Sequence, residues 1–453
     1  MWLSANASEI PNVDDVARIL ANGAAVRFWK PEAPSQQTHP RHKSIMRQVL
    51  ALLHRVMTPG AAAQALRQSQ PALVVFANHP SALQNADSVD ASLQDLCASG
   101  ALVPVEALGF SVAAAQLYQC ALVVTPMGVA TRTNGKQRLI FDSRYVNCFC
   151  LYQSFSYENL GLFQDQLQEG DFMGGWDLKE GYHAMRLPPW AWRYLAVRRG
   201  DETYVPTVLT FGWAPAPRQF SSLLAAVWQP VRAHGGRLLF MLDDCGEAAH
   251  SMAVAQHRAE TSALLLSGLG FTVSASKCQL MQAHSLKLLG FLLDTMTMRT
   301  RLPEDRRLRV VQDLHAALQA LSRGQLSKEH AQKLAGTLIS LTPAVPMTKL
   351  YVRALYAVIA SSDSEALQRF MYHLLLDLQS WIDRLSSRQH IGKPMRPSEK
   401  PALVLIGDAS AIGGGASLLV PDTGELLPVA VQSWNQQQQE QSNTHREMRQ
   451  IEA

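Results

Sequence analysis

At 453 residues the chain is too long for one compact core, and a soft count of one domain per 150 residues gives about three units. Hydrophobic residues at 47% and charged residues at 17% exclude a disordered or fibrous chain, and a net charge of +4 neither indicates nucleic acid by itself nor opposes a local basic cleft. Six cysteines (Cys97, Cys120, Cys148, Cys150, Cys245, Cys278) carry no metal-finger spacing and read as reduced thiols.

In chain order, the opening "MWLSANASEIPNVDD" lacks a basic n-region and an apolar h-region, so an intracellular protein, cytoplasmic or nuclear, is expected. "HKSIMRQVLALLHRVM" predicts a helix with Ile45, Val49, Leu52 and Leu53 on one face, and "NADSVDASLQDLCAS" a second one, stopped by Gly100. No residue from Ala107 to Ala130 is charged. Gln116, Gln119, Pro126 and Gly128, with no flanking Lys/Arg cluster, favour two buried strands there over a membrane span. "QRLIFDSRYVN" alternates as a strand and then turns, and Cys148-x-Cys150 reads as strand packing. "FMGGWDL" is a strand ending in Asp177, and "YLAVRR" and "TYVPTVLTF" are paired strands. "RQFSSLLAAVWQPVRAHGG" is a helix with Phe220, Leu223, Leu224, Val227, Trp228 and Val231 in one stripe and Pro217 in its first turn. A strand to Asp243-Asp244, a helix near 252–268, and a strand pair formed by "GFTVSASKCQLM" and "SLKLLGFLLD" follow. Residues 305–385 read as almost wholly helical, 386–401 as a polar linker, and "ALVLIGDASAIGGGASLLVPD" as a strand, a Gly-rich turn and a returning strand.

The chemistry centres on "LLFMLDDCGEA", where an apolar run ends in Asp243 and Asp244. Two carboxylates about 4 Å apart repel by roughly 4 kcal/mol at an effective dielectric near 20. Taken alone the pair is a polar turn. Asp177, at the end of a second apolar strand, changes that: strand-end carboxylates can share hard cations such as Mg²⁺, and two such ions serve an in-line displacement at phosphorus. Nucleotidyl transfer is the implied reaction.

These motifs, in order from about Asn85 to the last residue, resemble a retroelement (retrotransposon) reverse transcriptase followed by a ribonuclease H domain. The resemblance implies an α+β right-hand polymerase with fingers, an antiparallel palm sheet and a thumb. It implies an N-terminal extension over 1–70, fingers and palm over 71–298, a helical thumb/connection over 299–398, and a partial ribonuclease H-like α/β domain over 399–453. "NGKQRLIFDSRYVN" resembles the fingers motif, so Lys136 and Arg138 map onto its nucleotide-contacting positions and Asp142, Arg144 and Asn147 onto its structural polar ones. "WDLKEGYHAMRL" carries Asp177 as metal ligand and Tyr182 as the aromatic gate beneath the sugar; "LTFGWAPAPRQF" places Phe211 and Gly212 against base and template. "FMLDDCG" supplies Asp243 and Asp244, "SASKCQLM" supplies Lys277, and "LKLLGFLLD" resembles the primer grip around Leu289, Gly290 and Phe291. Plainer readings stand beside these: Lys136 and Arg138 as a solvated strand edge, Tyr182 as a core aromatic, Gly212 as a turn glycine, Lys277 as a surface lysine.

Met241 stands where many members carry an aromatic residue, and Phe211 with Trp213 looks closer to retrotransposons than to retroviruses. "KLAGTLISLTPAVPMTKLYVRALY" resembles the connection of DIRS-type elements. In the tail, Asp408 and Glu447 map onto two ribonuclease H ligands, although Thr444-x-x-Glu447 is also a capping box. The chain stops inside that helix, so a truncated domain without ribonuclease H activity is expected. The implied function is RNA-directed DNA polymerisation from dNTPs on a primed RNA or DNA template, with two Mg²⁺ ions or Mn²⁺ and no membrane. The rivals are a non-catalytic nucleic-acid-binding remnant and an RNA-directed RNA polymerase.

Overall fold

The computed structural model of the chain describes residues 40–108, 123–131, 135–150, 155–361, 366–387, 392–396 and 403–439. The chain divides into two compact units, Met1–Lys393 and Pro394–Ala453.

In the first unit, α1 (Pro40–Leu53) buries Val49, Leu52 and Leu53, while Ile45 stays 39% exposed. Helix α2 (Ala86–Ala98) gives way to Gly100 at a φ of +73°, a conformation that L side chains resist. Most of the uncharged segment lies outside the described residues; at its end Val123, Val124 and Met127 are buried. Among the described residues no helix is long and apolar enough to cross a membrane. Strand β1 (Met127–Thr131) pairs antiparallel with β2 (Gln137–Phe141), and a single helical turn, Arg144–Asn147, follows. Cys148 therefore caps a helical turn and does not pack in a strand. Asp142 forces that turn: its carboxylate takes the Arg144 guanidinium at 2.7 and 2.5 Å and His79 Nε2 at 2.9 Å.

The centre of the unit is a five-stranded sheet built on β3 (Phe172–Lys179). Strands β4 (Val197–Arg199) and β5 (Glu202–Pro206) pair with each other in a separate sheet. Helix α3 (Ala216–Ala233) leads into the hairpin of β6 (Arg237–Met241) and β7 (Asp244–Ala249), and α4 (Met252–Gly268) into β8 (Thr272–Val273) and β9 (Gln279–Ala283). The order is β8-β3-β7-β6 with β9 also on β3, every pair antiparallel. Strand side chains alternate, so Asp177 and Gly175 of β3 share a face with Asp244 and Gly246 of β7. The opposite face carries Trp176, Leu178 and Cys245, which join Phe220, Leu224, Val227 and Leu266 in one buried cluster. Where β3 begins, the buried Asp171 carboxylate accepts from Arg237 Nη2 at 2.7 Å and the Asp171 carbonyl from Thr295 Oγ1 at 2.6 Å.

The expected pairing of "GFTVSASKCQLM" with "SLKLLGFLLD" does not occur. The first segment folds back onto β3 as β8 and β9; the second is itself a hairpin of β10 (Ser285–Leu288) and β11 (Phe291–Asp294), extended by β12 (Arg299–Arg301). Leu289 and Gly290 both take positive φ, 49° and 76°, as in the type I′ turn whose twist closes a two-residue hairpin. Helices α5 (Glu304–Ser322), α6 (Lys328–Ile339), α7 (Arg353–Ala360) and α8 (Ala366–Ser386) follow, with Leu314, Leu334, Leu338, Leu355, Leu378 and Trp381 buried.

The second unit is an antiparallel meander of β13 (Val404–Ala409), β14 (Gly413–Val420) and β15 (Glu425–Ser433). β15 adds to the expected strand, turn and returning strand; its Pro428, which masks the strand signal, sits beside a register shift. Glu447 lies outside the described residues.

Candidate active site

The β6–β7 hairpin delivers the paired aspartates. Met241 faces Asp244 across the ladder, which leaves Leu242 and Asp243 as a two-residue turn. Leu242 takes a φ of +54°, a strained conformation for a bulky side chain, and packs partly buried against the core. Asp244 stands in register with Asp177, and the Asp243 carbonyl accepts from the Leu178 amide at 2.8 Å. Three carboxylates are thus held at the ends of neighbouring strands. Past β3, Glu180 at φ +53° turns the chain and Gly181 slips beneath the hairpin: a Cβ there would lie 2.5 Å from Asp243 Oδ1 and 2.7 Å from Phe220 Cζ.

Burial, then the charges of Asp177 and Asp244, push the Asp243 carboxyl up to about 6, against the pull of Lys277 and Arg138. Burial and Asp177 raise Asp244 as well. Asp243 Oδ1 is buried with no hydrogen-bond partner. Lys277 Nζ meets Asp177 Oδ1 at 2.8 Å, delivered by a turn whose Ser274 amide donates to the Asp177 carbonyl at 2.8 Å. In this arrangement, among the described residues, no group of three or more His, Cys, Asp or Glu is gathered as a finished metal site. The donors nevertheless suit a hard divalent cation: oxygen ligands of like charge, one of them buried and unpartnered, whose repulsion such an ion relieves.

Beside the carboxylates runs an aromatic stack. The Arg138 guanidinium lies 4.3 Å from the centroid of Phe211, which stacks on Tyr182 at 4.8 Å, and Tyr182 meets Phe220 edge-on at 5.1 Å. Tyr182 is 4% exposed and Phe211 37%, so Phe211 offers the accessible ring. Burial, more than the nearby Tyr157 and Asp243, raises the Tyr182 phenol. Gly212, at φ +93°, must be glycine, because a Cβ would lie 2.4 Å from the Phe141 carbonyl oxygen. The Asn147 amide pins this turn, donating to the Gly212 carbonyl and accepting from the Ala214 amide, both at 2.8 Å.

A search of curated proteins finds no match. Residues 174–293, from within β3 to within β11, match the family model described as "Reverse transcriptase (RNA-dependent DNA polymerase)". Among solved structures, the foamy viral protease-reverse transcriptase in complex with an RNA/DNA hybrid is similar at a TM-score of 0.56 and 14% identity, over 98% of this chain and 55% of that one. The same foamy viral protein in complex with dsDNA gives 0.54 and 15%, over 98% of this chain and 85% of that one. The fold is that of a reverse-transcriptase polymerase. The chain spans just over half the length of the first of these relatives. In this polymerase fold the five-stranded antiparallel sheet is the palm sheet.

The polymerase fold gathers Asp177, Asp243, Asp244 and Lys277 at one strand end, with Arg138, Tyr182 and Phe211 stacked alongside and Gly212 tied to Asn147. Lys136 is exposed, one residue before β2. Asp408 is exposed on β13 of the second unit, where its Oδ1 accepts from the Ala409 amide at 2.9 Å. Sequence reasoning missed the glycine pair Gly175–Gly246, in register beneath the palm carboxylates. A Cβ on Gly175 would lie 3.0 Å from Leu286 Cδ1 and one on Gly246 2.6 Å from Leu288 Cδ2, so their bareness seats the β10–β11 hairpin. Glycine inside an apolar strand was the available signal.

Proposed function

We infer that the chain is the RNA-directed DNA polymerase of a retrotransposable element, joining dNTPs to a primer 3′-OH on an RNA or DNA template. The observation that carries this reading is the register of Asp244 with Asp177 beside the buried, unpartnered Asp243 Oδ1. Asp177, Asp243 and Asp244 would hold two divalent ions, Mg²⁺ or Mn²⁺, which when bound activate the attacking hydroxyl and stabilise the leaving oxygen. Lys136 and Arg138 give the triphosphate a point charge and a planar fork. Phe211, backed by Tyr182, presents an aromatic wall to the incoming sugar and base, and Gly212 lets backbone approach them. Lys277 is placed to hold or donate a proton at the phosphates.

The foamy viral neighbours, with their RNA/DNA hybrid and dsDNA, support nucleic acid as the partner. The helical run at 333–356 supports a DIRS-type element, and Asp408 with Glu447 supports a ribonuclease H-like remnant in the second unit. The test is primer extension on homopolymer template–primers with Mg²⁺ and with Mn²⁺. Incorporation is expected from the wild type and not from Asp177→Asn; wild-type incorporation no higher than the variant's would defeat the reading.

A further inference from the structure

Arg306 lies in the first turn of α5, where a cation opposes the helix dipole, so its contacts must repay that cost. Its neighbours Arg307 and Arg309 each pair with a carboxylate, Glu304 and Asp305. Arg306 instead meets three neutral groups, two on the β10–β11 hairpin and one at the end of α6. Nη1 donates to the Gly290 carbonyl at 2.9 Å in the turn of the β10–β11 hairpin, the guanidinium lies 4.6 Å from the centroid of Phe291, and Nη2 donates to Ser340 Oγ at 3.0 Å at the end of α6. The Ser340 hydroxyl spends its own proton on the Thr337 carbonyl at 2.6 Å, so its oxygen is oriented to accept. A planar fork satisfied in this way is a rigid joint, which a lysine could not reproduce.

The same hairpin is seated at its other end. Leu286 and Leu288 rest on Gly175 and Gly246, a register pair two residues from Asp177 and Asp244 on the face those carboxylates share. The hairpin thus packs on the face of the sheet from which the carboxylates act, and a displacement of about 1 Å at a reacting end there can cost on the order of 10²-fold in rate. Resting on the polymerase reading above, we propose that Arg306 is a positioning residue that locks the hairpin to helices α5 and α6 and so holds the primer end against the palm carboxylates through successive additions.

The test follows primer extension by the 453-residue chain under a heparin trap, which limits each enzyme to one binding event, together with the KM for dNTP. Arg306→Gln is expected to shorten the product per event about tenfold, the loss of roughly one charge-assisted bond. Arg306→Lys should recover little of it, Ser340→Ala should fall in the same direction by less, and dNTP KM should stay within about twofold. Wild-type product length in both Arg306→Gln and Ser340→Ala overturns the assignment, as does a matched loss of kcat and dNTP affinity. Should Arg306→Gln fail to fold, Ser340→Ala decides alone. A wild-type chain that extends no primer overturns the polymerase reading and this assignment with it, whereas wild-type extension with unaltered variants overturns the assignment only.

Discussion

Asp243 couples chemistry to stability through a single carboxyl. Its ordinary value of 3.8 is raised to about 6 in the folded chain, so between these limits the folded state binds more protons than the unfolded one. Stability is therefore greatest below the window and is lost as pH rises through about 6. Asp243→Asn removes that penalty: without divalent ions at pH 7–8 it should be more stable than wild type by on the order of 1–2 kcal/mol, after discounting for partial exposure. It should also lose extension by about 10²–10³-fold or more. Thermal melts in chelator from pH 4 to 8 check the first claim; a wild-type melting temperature that climbs with pH across the window would sink it. For Tyr182, buried under Phe211, substitution by Val lets the exposed ring settle and widens the space beside it. Discrimination against rNTPs should fall by about 10–200-fold, read from paired kcat/KM values. At this scale the aspartates were legible because carboxylates end two apolar runs, at Asp177 and at Asp243-Asp244, although either alone reads as a polar turn. The left-handed Leu242 was not, since nothing in a leucine announces positive φ.

Among the elements, the strands and helices were readable from their periods, and the partners of short strands were not. "SLKLLGFLLD" looks like one apolar strand because Leu289 and Gly290 occupy the turn without any polar residue. The clasp at the other end of β3 was equally hidden, because Asp171 and Arg237 are 66 positions apart. Asp171 is 1% exposed, so Asp171→Ala strands the Arg237 guanidinium beside β6 and should cost about 3–5 kcal/mol. The midpoint of urea unfolding measures it. A midpoint within experimental error of wild type would show that the clasp contributes nothing.

For the whole molecule, the change from mixed strands to helices near residue 304 was visible as a change of hydrophobic period. The third strand of the second unit escaped because a proline interrupts it. Among the described strands of that sheet the carboxylates are Asp408 on β13, opposite Gly415, and Glu425 on β15, opposite Val420 five positions along β14, so the two do not meet to assemble a two-metal site. The 453-residue chain should extend primers without degrading the RNA of a hybrid; Mg²⁺-dependent release of labelled RNA fragments would contradict this. The palm carboxylates come from strands 67 positions apart, Asp177 against Asp244, brought into register by their ladder. A ladder moves in whole residues, and a slip of one sends a side chain to the opposite face. Damage to the palm is thus counted in molecules and not graded in rate: Asp171→Ala should lower the burst amplitude in an active-site titration while the surviving molecules turn over at the wild-type speed.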